Sequence, residues 1–202
     1  MAVSDVQIAK LALSHIGDRY DITSLDEATP EAEQVNLIYT DVRDALLREH
    51  PWNFARRFYT PAALSGTAPA GWGFMYAYPP TALKVLKLVH PLDPRGEKLE
   101  PLKFAVARNN DDIKVLMSNE QEPEFEYVKQ ITLATEFDAM FDMAFSWRLA
   151  EHLAMPLTGD GQIADKMERK SRMEVEKAKM DDANEGTGVE QTREPSWMLA
   201  RN

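Results

Sequence analysis

The stretch Tyr39-Thr40-Asp41-Val42-Arg43-Asp44-Ala45-Leu46-Leu47-Arg48-Glu49-His50-Pro51-Trp52-Asn53-Phe54 governs how the rest of the chain is read. Its first part is helix, because Val35, Ile38, Tyr39, Val42 and Leu46 make one apolar stripe at helical spacing. Its second part stops that helix. Pro51 disfavours a helical backbone at the residue before it, so the helix ends near His50. Trp52, Phe54 and Phe58 then place three large aromatics within seven residues. Burial of Trp52 and Phe54 is expected to lock this turn onto neighbouring helices.

Upstream, the same helix begins at Thr29-Pro30, an N-cap followed by proline at the first helical position. Glu31 and Glu33 lie in its first turn and Arg43 and Arg48 toward its end, the signs that the helix dipole favours. An earlier helix is capped by Ser4, with Gln7 completing a capping box. Ile8, Leu11, Ala12, His15 and Ile16 share one face, and Gly17 supplies a left-handed stop. Between the two helices, Ile22 and Leu25 are the apolar anchors of a polar link.

Downstream, residues 60–73 read as a loop, and the period then changes. Residues 83–89, 104–107, 113–117 and 125–128 are short β-like runs separated by turn signals, the clearest being Asn109-Asn110-Asp111-Asp112. They predict one small antiparallel sheet of four strands. Thr135 is the expected cap of a third helix, with Asp138 three residues on. That helix carries Phe137, Met140, Phe141, Ala144, Phe145, Trp147, Leu149 and Leu153, so it should be the central core helix, ending at Pro156. Thr158-Gly159-Asp160-Gly161 is a turn and a new cap. A fourth helix, 161–183, is mostly polar, with 7 acids and 6 bases from Asp160 to Asp182. A solvated helix is the default reading; Met167, Met173 and Met180 point to a subunit interface as the alternative. Residues 184–202 are polar until Trp197-Met198-Leu199, an apolar peg for its own domain or a partner.

The fold expected is thus α+β and mainly α. Residues 1–73 and 134–183 form a four-helix bundle, 74–133 a small antiparallel β insertion, and 184–202 an extended C-terminal arm.

Composition narrows the function. The 202 residues are 44% hydrophobic and 28% charged, which suits one globular domain, alone or with an insertion. With no cysteine there is no disulfide, thiolate nucleophile or sulfur-held metal. A net charge of −10 makes the chain a poor grip for DNA, although an acidic wall can surround a duplex without sticking to it. No apolar run approaches the roughly 18 residues that span a bilayer, and the N-terminus lacks a signal peptide's basic start and apolar stretch. Synthesis in the cytoplasm and no membrane partner are expected.

No nucleotide-binding, nucleophile-elbow or zinc-protease motif is present. His15, His50, His90 and His152 share no ligand spacing, and His15 reads as a half-buried histidine. Glu151 and His152 are adjacent on a helix and point in different directions. Asp111-Asp112 and Asp181-Asp182 lack the spacing of a calcium loop. Arg56 and Arg57, near Arg43 and Arg48, form the compact basic cluster. They can meet phosphate, or pair with the 8 acids from Asp21 to Glu49, within the protein or across a subunit interface. Glu120 with Glu122, or Glu124 with Glu126, share a face if on a strand and would be the carboxylates of a peptidoglycan hydrolase. A solvated strand face is the plainer reading. The expectation is no catalytic residue, no cofactor and no metal.

Taken in order, several segments carry a family likeness. They are Ala9-Lys10-Leu11-Ala12-Leu13-Ser14-His15-Ile16-Gly17, Ile22 to Glu27, Tyr39 to Arg48, His50-Pro51-Trp52-Asn53-Phe54-Ala55, Tyr76-Ala77-Tyr78-Pro79-Pro80, Phe137 to Phe141, and Pro195-Ser196-Trp197-Met198-Leu199-Ala200-Arg201. The succession resembles the head-to-tail connector (adaptor) proteins of tailed phages, including the tail tubular protein A group and podovirus adaptors. The resemblance implies a structural virion protein without a catalytic site. It implies a homo-oligomeric ring, typically dodecameric, between the portal protein and a tail or nozzle protein, enclosing double-stranded DNA without reading its sequence. It also implies portal contacts by the arm, here Trp197, Met198, Leu199 and Arg201. The rival classes are the virion-associated hydrolase and a tail-side or bacterial scaffold protein.

Overall fold

The computed structural model describes residues 4–17, 22–92 and 99–185. Among these, four α-helices and six strands follow in the order α1 (Asp5–Ile16), α2 (Pro30–Glu49), β1 (Arg56–Tyr59), β2 (Phe74–Ala77), β3 (Ala82–Val89), β4 (Phe104–Arg108), β5 (Lys114–Ser118), β6 (Glu124–Lys129), α3 (Ala139–Thr158) and α4 (Gly161–Glu185). Short 3-10 turns at Asn53–Ala55 and Ala134–Glu136 join helices to strands.

This overturns the expected four-helix bundle with a small β insertion. The strands form two three-stranded antiparallel sheets, ordered β1-β6-β3 and β2-β5-β4. The fold is a mixed one in which the sheets are layers rather than an appendage. The four β-like runs are all strands. The other two, β1 and β2, complete the sheets, and β1 draws on Arg56–Tyr59 from the helical side of the sequence.

Alternation along β6 and β3 explains the layering. Val128, with half-buried Leu83 and Leu86, faces the helices and joins their core. Phe125, Val85 and Leu88 face the other way and meet Tyr76 and Leu116 of the second sheet. The order is therefore helices, first sheet, second sheet.

Local chemistry sets the helix ends. Ser4 and Gln7 exchange hydrogen bonds through a complete capping box, and Gly17 closes α1 at φ 89°. Thr29 caps α2 by accepting from the Ala32 N–H at 3.3 Å. At α3 the expectation is corrected: Asp138, not Thr135, is the cap, accepting from the Met140 N–H at 2.8 Å. Nor does Pro156 end α3, which runs on to Thr158 and closes on Gly159 at φ 66°. A proline in the last turn forfeits one hydrogen bond but need not stop the helix there.

Helix α3 is central. Phe141, Ala144, Phe145, Leu149, Ala150 and Leu153 are all buried on it, with α1, α2 and α4 packed around. One half-buried group beside this core is strained electrostatically. A carboxylate oxygen of Asp142 has no hydrogen-bond partner. Desolvation by burial, then the charge of Asp138, raise Asp142 from 3.8 to about 6. Its place in the first turn of α3 favours the anion, but desolvation wins. Because the folded value lies above the unfolded one, the stabilising effect of the proton is full below about pH 4 and lost as pH rises through about 6. Asp142→Asn is expected to be more stable than the parent by about 1 kcal/mol at pH 7.5, discounted for partial exposure, with the advantage vanishing below pH 4. Urea denaturation of both proteins across this range checks it.

Candidate functional site

The corner after α2 is built from His50, Pro51, Trp52 and Asn53. Trp52 is 1% exposed. Its indole N–H donates to the Leu46 carbonyl at 3.0 Å, and its ring meets Phe141 edge-on at 5.1 Å. Phe54 reaches the same Phe141 at 5.0 Å. The corner is thereby fixed to both α2 and α3.

The far end of α4 docks on this corner. The Asp182 carboxylate accepts from the Asn53 backbone N–H at 2.9 Å and lies 3.1 Å from His50 Nε2. The Asn53 side-chain amide donates to the Asp182 carbonyl at 2.7 Å, satisfying an acceptor that a helix C-terminus leaves open. A carboxylate there opposes the helix dipole, and these three contacts offset that cost. Beyond Glu185 follow residues 186–202, so Trp197, Met198, Leu199 and Arg201 lie outside the described residues.

Beside this knot is a surface groove of about 310 Å³ lined by Glu49, Arg148, Glu151, Glu168, Arg172 and Glu176. Arg148 pairs with Glu49 at 3.0 Å and Glu151 at 3.4 Å, and Arg172 with Glu168 at 2.8 Å. Lys179 joins Glu49 to Glu176, each at 2.7 Å. The cations are already matched, so the groove is the charged seam that seats α4 on α2 and α3 rather than a vacant ion site.

The residues singled out in the sequence are scattered. Met167 is 2% exposed and belongs to the core with Ser171, Val175 and Ala178, whereas Met173 and Met180 face solvent at 62% and 67%. Arg56 is ion-paired to the buried Glu126, which also meets Lys87 at 3.5 Å. Arg57 donates to the carbonyls of Phe54 and Arg56. Arg43 pairs with Asp44 at 2.9 Å, and Arg48 donates to the Leu83 carbonyl at 2.7 Å. The basic cluster is engaged inside the chain. Glu124 and Glu126 do share β6, but Glu126 is held by two cations, and Glu120 and Glu122 sit in the β5–β6 turn. His15 stacks on Trp147 at 3.6 Å and lies 3.2 Å from Ser146 Oγ. Burial holds its imidazole below the ordinary value, against the opposing charge of Glu174.

Among the described residues no group of three or more His, Cys, Asp or Glu is placed to hold a metal ion, and no helix is long and apolar enough to cross a membrane. Compared with models of known families and with curated proteins, the chain gives no match.

Asp182→Ala removes the carboxylate's contacts with Asn53 and His50. It is expected to lower stability by about 1–2 kcal/mol and to speed amide hydrogen exchange at Asn53 and in the last turn of α4 about 10-fold. Exchange read by mass spectrometry, with a urea titration, checks both.

Proposed function

We propose that this chain is a structural virion protein, a head-to-tail adaptor that assembles as a ring beneath the portal of a tailed phage. One observation carries the reading. The segments with the most specific family likeness fold into one body: Ala9–Gly17 in α1, Tyr39–Arg48 in α2 and His50–Ala55 at the corner share the core built on α3. That body also holds the end of α4, from which residues 186–202 continue. A peg ending in Trp197-Met198-Leu199 would thus start from a fixed point, as a portal-reaching arm requires.

In this reading the chain waits in the host cytoplasm and works in the virion neck. The portal contacts one end of the ring and a tail protein the other. The net charge of −10 suits a wall around DNA that must slide, because phosphates find little to bind. No bond is made or broken by the chain in this role; its work is placement.

Mixing the purified chain with its cognate portal ring tests the proposal, with mass read by native mass spectrometry. One complex with many copies of the chain per portal is expected. Failure to bind the portal at micromolar concentrations of both overturns the adaptor role.

A further inference from the structure

The long helix α4 has two unlike sides. Its inner stripe of Met167, Ser171, Val175 and Ala178 is buried. On the outer side Lys166, Lys170, Met173, Lys177 and Met180 follow at spacings of four, three, four and three, which puts them on one face. All five are exposed. Lys166 and Lys170 have no ion pair among the described residues, and Lys177 has a loose one with Glu174 at 3.8 Å. In a chain of net charge −10, this is a basic stripe studded with methionine.

Helix α2 presents the converse. Glu33, Leu37 and Asp41 lie at spacings of four on its outer face and are exposed, Leu37 at 71%. Neither Glu33 nor Asp41 has an ion pair among the described residues.

We propose that these two faces are the halves of one contact between copies of this chain, α4 of one subunit lying against α2 of the next. Charge complementarity selects the occupant, and the spacing supports it. With Leu37 seated on Met173, Glu33 and Asp41 stand about 6 Å along the axis to either side. Lys170 and Lys177 stand about 4.5 and 6 Å from Met173 in the same way, so both acids meet a lysine whether the helices run parallel or antiparallel. Two different faces of one subunit make a head-to-tail contact, which repeats rather than ending at a dimer. The contact rests on these surfaces alone; its closure into a ring rests on the adaptor reading.

The absence of cysteine from the sequence gives a clean test. Leu37→Cys with Met173→Cys, oxidised alone and in the presence of the portal, is expected to give a ladder of covalent dimers, trimers and larger species. The control, Leu37→Cys with Ile113→Cys, joins Leu37 to an exposed site on the β4–β5 turn and should give no ladder. Adding Lys170→Glu and Lys177→Glu to the first pair should cut the ladder about 10-fold, and adding Glu33→Lys and Asp41→Lys to that variant should restore it. A ladder no greater than the control in both conditions, or one indifferent to charge reversal, overturns the contact. Portal binding without the ladder would defeat the contact and leave the adaptor role standing; a ladder without portal binding would do the reverse.

Discussion

Burying Trp52 obliges the chain to turn where it does. The indole must leave solvent and still satisfy its N–H, and the Leu46 carbonyl meets that need from the last turns of α2. Its ring then presses on Phe141 of α3, which also receives Phe54. Burial of side chains this large is worth roughly 3 kcal/mol each, far more than any single surface ion pair in the molecule. From this corner the backbone leaves as β1, the edge of the sheet that separates the helices from the second sheet. The same corner offers Asn53 to the end of α4. Helical layer, sheet and final helix are thus indexed to one side chain.

The caps of α1 and α2 were legible because they are local. Ser4 with Gln7, and Thr29 with Pro30, need only their neighbours to act. Four strands were visible for the same reason, as apolar runs between turns. The layering was not. β1 is four residues long and half of it is arginine, so it shows no alternation a reader would trust. Its arginines become intelligible once Glu126, 70 residues away, is seen buried beside Arg56. Whether Val128 or Phe125 faces the helices depends on the second sheet, which local sequence does not specify. Asp182 meets Asn53 across 129 residues, beyond any periodicity. The methionines of α4 were separable in principle. Met167 stands eight residues before Val175 and shares its stripe, while Met173 and Met180 stand seven apart on the other side.

A helix of mixed charge is often only a solvated face. Here α4 is divided instead. One edge is tied down by the Arg148, Glu49 and Lys179 network, one stripe is core, and the remaining stripe is basic, its Lys177 held only by a long pair with Glu174. On the outer side of α2, Glu33 and Asp41 are exposed and have no ion pair among the described residues. A subunit carrying two complementary and unlike faces suits repetition around an axis, and the proposed adaptor needs such repetition. The overall acidity and the two faces need not conflict, because in the proposed contact a few exposed lysines act at short range while the excess of acid sets the field far from it.

The most direct measurement is electron cryomicroscopy of portal-bearing heads incubated with the chain. The account predicts a closed ring of copies coaxial with the portal channel, with α2 of each subunit beside α4 of its neighbour. Heads whose portals carry no such ring, at a concentration that saturates binding, would contradict the account at its centre.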